Sequence, residues 1–184
     1  MKTNNVLSDR RVFNTKLVVT VGIFSAISFI LQLIVPYKVS GFLDVEISDL
    51  PALILSLAYG PLYGIMVELV KNILHCFVTT TGYVGELANF VVNGSFCLVI
   101  GLIYQMKKNY KRAIISLVIG VIAMTIVSIF SNFFIMLPLY MANAPFDAKL
   151  NLVMTTMVPF NFIRGTVLAV LTVLLYKKIS KVIK

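Results

Sequence analysis

The sequence predicts an all-α membrane protein, a six-transmembrane-helix bundle with an outer capping loop between helices 1 and 2 and both termini cytoplasmic. Three observations carry that expectation. Of the 184 residues, 59% are hydrophobic and only 12% charged, whereas charged residues make up about 25% of a soluble domain. Apolar runs long enough to cross a hydrocarbon core of about 30 Å recur along the chain, without the ten-residue polar–apolar alternation of a membrane barrel. Finally, twelve of the sixteen Lys and Arg residues fall in three clusters, at 2–16, 107–112 and 177–184. Basic residues beside a span stay preferentially on the cytoplasmic side, so the clusters fix how many times the chain crosses between them.

Helix 1 is the apolar run at 17–35, about the length of a full span, with no small-residue cleavage site after it. The stretch from Leu50 to Val78 decides the count. Read as one helix it gives five spans and puts Lys107–Arg112 outside, against the distribution of basic residues. Gly ends helices readily and Pro fits the first turn of the next. A break at Gly60-Pro61 therefore gives helix 2 at 48–59 and helix 3 at 61–78, and restores all three clusters to one side. Helix 4 follows at 86–106, helix 5 at 113–141 and helix 6 at 152–176, making one membrane domain of residues 1–184. Helix 2 is too short to cross alone at about 1.5 Å per residue. The outer loops are 36–49, 79–85 and 142–149.

Six of the seven acids lie in outer loops or spans: Asp44, Glu46, Asp49, Glu68, Glu86 and Asp147. The bases outside the clusters are Lys38, Lys71, Lys149 and Arg164. Ionisable groups in spans usually face the protein interior or a water-filled cavity. Glu68, Lys71 and Asn72 share a helical face, as do Glu86, Asn89 and Asn93, and as do Asn161 and Arg164 after Pro159. Asn132 lies along helix 5 near Ser128 and Ser131. These residues suit an outward-opening binding cavity with several amides and little net charge. Each also has a plainer reading: an intrahelical Glu68–Lys71 pair, Glu86 at a helix N-terminus, and amides joining helices. Phe42, Tyr59, Tyr63, Tyr83 and Phe162 lie near enough to stack on a planar ligand. On helix 1, Gly22 and Ala26 form a small-xxx-small pair that packs inside the bundle or docks a partner membrane protein.

Several classes of chemistry lack their signatures. There is no G-x-x-x-x-G-K-[ST] loop for nucleotide phosphates and no H-E-x-x-H or G-x-S-x-G motif. His75 has no ligand-spaced companion, so no metal site is expected. Cys76 and Cys97 sit in apolar context and read as free thiols. The net charge of +9 lies in membrane-flanking clusters without interleaved aromatics, which argues against nucleic acid.

Five segments carry a family resemblance: Glu46-Ile-Ser-Asp49-Leu-Pro51, Tyr59-Gly60-Pro61-Leu-Tyr-Gly64, Val70-Lys71-Asn72, Gly85-Glu86-Leu-Ala-Asn89-Phe90, and Val158-Pro159-Phe160-Asn161-Phe162-Ile163-Arg164-Gly165. Together they resemble the substrate-binding S-component of energy-coupling factor (ECF) vitamin transporters, and the last segment is similar to the riboflavin-specific branch. The resemblance implies a non-enzymatic, multi-pass subunit of the bacterial plasma membrane, with riboflavin as transported ligand and no cofactor. It implies as partners a transmembrane coupling protein and two cytoplasmic ATPases, with Gly22 and Ala26 at the docking surface. As substrate-binding residues it points to Glu46, Asp49, Lys71, Tyr83, Glu86, Asn89, Asn132, Asn161 and Arg164. The riboflavin branch usually has lysine where this chain has Arg164, which keeps the charge and changes the donor geometry. The residues also leave open an S-component for another vitamin, a self-sufficient proton-coupled carrier, and a membrane-embedded enzyme.

Overall fold

The computed structural model describes residues 15–34, 37–40, 43–45, 47–79 and 83–182. Helix α1 (Thr15–Ile34) is followed by a short antiparallel hairpin, β1 (Tyr37–Ser40) and β2 (Leu43–Val45), with Lys38 opposite Asp44 and a bulge after it. The segment expected as a capping loop thus carries strand structure in an otherwise helical chain. Of the residues singled out there, Phe42 and Glu46 lie outside the described residues.

Helices α2 (Leu50–Tyr59) and α3 (Pro61–His75) meet at Gly60, whose φ of 113° is one that side-chain-bearing residues rarely adopt. Pro61 starts α3, where its missing N–H costs no hydrogen bond. The ten residues of α2 span only about 15 Å, yet the helix is almost entirely enclosed, packing on α1, α3, α4 and α8. Its buried residues include Ala52, Leu53, Leu55 and Leu57, the centre of a core that continues through Phe96, Ile100, Leu117, Met124 and Leu168. Two hydrogen bonds join it to α4 (Val84–Met106), one from a side chain of each helix to the backbone of the other. Gln105 donates through Nε2 to the carbonyl of Leu57 at 3.2 Å, satisfying a last-turn acceptor. Ser56 donates to the Cys97 carbonyl at 2.6 Å. The approach of α4 is close enough that a Cβ on Gly101 would lie 2.6 Å from the Cα and N of Pro61 and from Ser56 Oγ.

Helix α3 ends at His75, three residues earlier than the sequence suggested, with Phe77 and Val78 closing a tight turn through N–H bonds to the carbonyls of Leu74 and His75. The last two long helical segments of the bundle extend further than expected. Helix α5 (Tyr110–Ser131) runs through a π-helical turn, Asn132–Met136, into α6 (Leu137–Tyr140). After a corner, α7 (Phe146–Leu152) runs through a second π turn, Val153–Met157, into α8 (Val158–Val182). Residues 146–149, expected as loop, are therefore helical. Each π turn ends two residues before a proline, Pro138 or Pro159. A proline ring clashes with the carbonyl four residues back and cannot donate to it; widening the preceding turn relieves that conflict. The two π turns pack against each other.

Four helical stretches are long and apolar enough to cross a membrane: Thr15–Ile34, Val84–Met106, Tyr110–Tyr140 and Phe146–Leu175. Their outward residues are Ile, Val, Leu and Phe, such as Ile23, Ile27, Leu102, Ile122, Phe134, Val170 and Leu174. Such a surface is unfavourable in water and suited to lipid. The turn 107–109 is closed by Asn109, whose side-chain oxygen accepts from the Arg112 N–H at 2.7 Å and caps α5.

Candidate functional site

Asp49 is the centre of the bundle's polar interior. It sits at the N-terminal end of α2 with no exposed surface. Lys71 of α3 donates to its Oδ1 at 2.5 Å, Asn93 of α4 to the same oxygen at 3.1 Å, and Arg164 of α8 to Oδ2 at 2.6 Å. Lys71 also lies 2.7 Å from Glu68 Oε2, one turn back on α3. Asn93 donates to Asn89 as well, at 2.9 Å, and Asn72 donates to the Glu68 carbonyl at 2.8 Å. Two acids and two bases, from the start of α2 and from α3 and α8, thus meet in one buried cluster. Burying a charge is costly unless it is paired and hydrogen-bonded, and every ion here has an opposite partner.

Depth follows from helix arithmetic. Asp49 is eleven residues before Gly60, and Lys71 ten after Pro61. At about 1.5 Å per residue each lies roughly 15 Å from that turn.

Arg164 connects this cluster to the amides. Asn161 is three residues before it on α8, on the same face. Asn161 is buried and donates to the Met157 carbonyl at 2.9 Å. Asn132, at the start of the first π turn, is buried and donates to the Ser128 carbonyl at 2.7 Å. Each amide uses one N–H on its own helix, leaving its oxygen as an acceptor. One turn further along, Met136 and Met157 help to line an apolar cavity of about 240 Å³, completed by Leu137, Tyr140, Met141 and Leu152. The order along these helices is therefore apolar cavity, neutral amides, buried cluster of acids and bases.

Other residues singled out from sequence lie apart from the cluster. Glu86, at the start of α4, is buried and meets His75 Nδ1 at 2.9 Å, joining the facing ends of α3 and α4. Tyr83 is 64% exposed and adopts a left-handed φ of 69° just before α4. Gly22 and Ala26 lie on the exposed side of α1, and a Cβ on Gly22 would meet nothing within 4 Å. The buried side of α1 is instead Val21, Ser25, Ser28 and Gln32. Gln32, and Ser48 beside Asp49, were not singled out, yet both are buried with an oxygen that has no hydrogen-bond partner among the described residues. The four-three-four spacing from Val21 to Gln32 is the signal that marks Gln32 as inward-facing.

Fold and site together define a helical integral membrane protein with a buried polar centre beneath an apolar cavity. The family model of the ECF transporter substrate-specific component matches residues 16–176, and the chain belongs to that family. Its members are transporter components, not enzymes. Similar proteins include a riboflavin transporter named RibU from Staphylococcus aureus (strain TCH60), 34% identical, with 97% of this chain and 99% of the relative covered. A riboflavin transporter named FmnP from Bacillus subtilis (strain 168) is 34% identical over 90% of this chain and 92% of its own length. The solved structure of the S component of a bacterial ECF transporter superposes with a TM-score of 0.79 at 35% identity, covering 92% of this chain and 98% of that one.

Proposed function

We propose that this chain is the riboflavin-capturing subunit of an ATP-driven ECF uptake transporter. The observation that carries the reading is the position of Asn132 and Asn161, one turn from an apolar cavity. A planar isoalloxazine ring wants an apolar wall, and ribityl hydroxyls want neutral donors and acceptors. The cavity is smaller than the roughly 300–1,000 Å³ of whole-ligand pockets, so it suits the ring while the ribityl chain reaches the amides. The two riboflavin transporters that are 34% identical over nearly the whole chain support the same ligand.

In this reading Asn132, Asn161 and Arg164 meet the polar part of riboflavin. Asp49, Lys71 and Asn89 hold the floor of the site, and Glu46, Tyr83 and Glu86 belong to its outer rim. The chain forms one domain that crosses the bacterial plasma membrane six times, with α2 and α3 as the short second and third crossings and both termini cytoplasmic. The basic clusters support that orientation. Gly22 and Ala26 offer a flat, exposed stripe on α1 for close approach of a transmembrane coupling protein, and two cytoplasmic ATPases supply the energy.

The test is direct. Purified from cells that contain riboflavin, the protein is expected to be yellow, with flavin absorbance that stays with it through gel filtration. A colourless protein that also fails to take up added riboflavin at micromolar concentration refutes the ligand.

A further inference from the structure

Sulfur is concentrated around the apolar cavity. Of the six side chains that line its volume of about 240 Å³, three are methionines, Met136, Met141 and Met157, although the whole chain of 184 residues holds only eight. Resting on the flavin reading above, in which the isoalloxazine ring occupies this cavity, we propose that these three thioethers are a light-dependent modification site. Illumination of the bound flavin in air converts them to sulfoxides, and the site then loses its capacity for the ligand.

The chemistry needs only light, the flavin and dioxygen. A flavin excited by blue light passes its energy to dioxygen and returns unchanged, leaving singlet oxygen, which adds to electron-rich sulfur. Dioxygen is small and apolar, and an apolar cavity admits such molecules. Addition to one thioether forms an S–O bond and gives a persulfoxide. A second thioether then attacks the terminal oxygen, the O–O bond breaks, and each sulfur keeps one oxygen. Two thioethers and one dioxygen thus become two sulfoxides. Each sulfur is oxidised by two electrons and dioxygen takes up the four, with no proton to place and no leaving group.

Proximity rather than exposure selects the sulfurs. Met157 is only 2% exposed, which shields it from an oxidant in solution, yet it lies against the space where singlet oxygen forms. Met106, 74% exposed, is at the far end of α4 beside the basic turn. Met154 shares the second π turn with Met157 but is exposed and does not line the cavity. Met124 is fully buried, twelve residues before Met136 and about 18 Å from it along the helix. A reaction between neighbours held in place outpaces one with oxidant that has escaped into solution. A sulfoxide turns a flexible apolar side chain into a polar one, so the planar ring loses its apolar wall.

The experiment uses the purified full chain loaded with riboflavin and freed of excess by gel filtration. It is illuminated with blue light in air, with azide in the buffer to remove singlet oxygen that escapes, and oxygen gain is read for each methionine by peptide mass spectrometry. Met136, Met141 and Met157 are expected to gain one oxygen each about tenfold or more ahead of Met106. The capacity to bind fresh riboflavin in the dark is expected to fall as they do. Dark, argon-flushed and flavin-free samples are expected to keep all three thioethers. A chain carrying Met136→Leu, Met141→Leu and Met157→Leu is expected to keep, after illumination, the binding capacity of its own dark sample. Oxidation in order of exposure, with Met106 and Met154 first, overturns the inference, as does equal oxidation without flavin. Intact cavity methionines after flavin has been illuminated in place overturn it and leave the flavin reading standing. Failure of riboflavin to bind the wild-type chain in the dark overturns the flavin reading and this inference with it.

Discussion

Replacing Asp49 by Asn tests whether the ion cluster holds the bundle together. The substitution keeps the size of the side chain and removes one charge. Lys71 retains Glu68 at 2.7 Å, whereas Arg164 loses the carboxylate 2.6 Å away and instead faces an amide. Because these groups lie at 0–8% side-chain exposure, water offers little compensation. Removing one partner of a buried pair typically costs about 3–5 kcal/mol. For a chain of this length that corresponds to a loss on the order of 10 °C in unfolding temperature. The assay is thermal unfolding of the detergent-solubilised protein without ligand, followed by loss of the monodisperse gel-filtration peak. A second variant locates the cause. Asp49→Asn combined with Arg164→Gln removes both members of the buried Asp49–Arg164 pair, so the double variant should be markedly more stable than the sum of the two single losses predicts. An Asp49→Asn protein that melts within a degree or two of the wild type, or strict additivity of the pair, would refute the reasoning.

Three further outcomes follow from packing and surface. Gly101→Ala places a methyl group against the backbone of Pro61 and is expected to cost about 1–3 kcal/mol, read in the same unfolding assay; Gly22→Ala, whose Cβ has open space, should cost a few tenths at most. Gly22→Leu or Ala26→Leu should abolish riboflavin uptake in cells that hold the complete transporter while leaving binding by the isolated subunit intact; parallel loss of both would mean that the stripe packs internally. In liposomes carrying a proton gradient, the chain alone is expected to accumulate no riboflavin, whereas accumulation would establish a self-sufficient carrier.

The break between α2 and α3 was legible because its causes are local. Gly60 takes a φ of 113° and Pro61 occupies the first turn of α3, so two adjacent residues decide it. The Glu68–Lys71 pair was legible for the same reason, being three apart on one helix. The role of Asp49 was not. Its partners lie 22, 44 and 115 residues away, and no periodicity relates them. From sequence it looked like part of an outer loop or cavity rim; the fold puts it at the buried start of α2. For Glu86, the spacing from Asn89 and Asn93 suggested one polar face; its contact with His75, across the turn after α3, was not legible. The π turns also escaped notice, although Pro138 and Pro159 are where a regular helix must adjust. Gln32 was passed over although it continues the stripe of Ser25 and Ser28 on the inward face of α1.

In the proposed site riboflavin lies between the apolar cavity and the amides of Asn132 and Asn161. The most direct measurement is the quenching of riboflavin fluorescence on titration with the purified, flavin-free protein, wild type beside Asn161→Ala. Saturable one-to-one quenching is expected for the wild type, with affinity lower by about tenfold in the variant, the equivalent of about one hydrogen bond lost from a desolvated site. Absence of quenching at micromolar protein, or equal affinity of the folded variant, would contradict it.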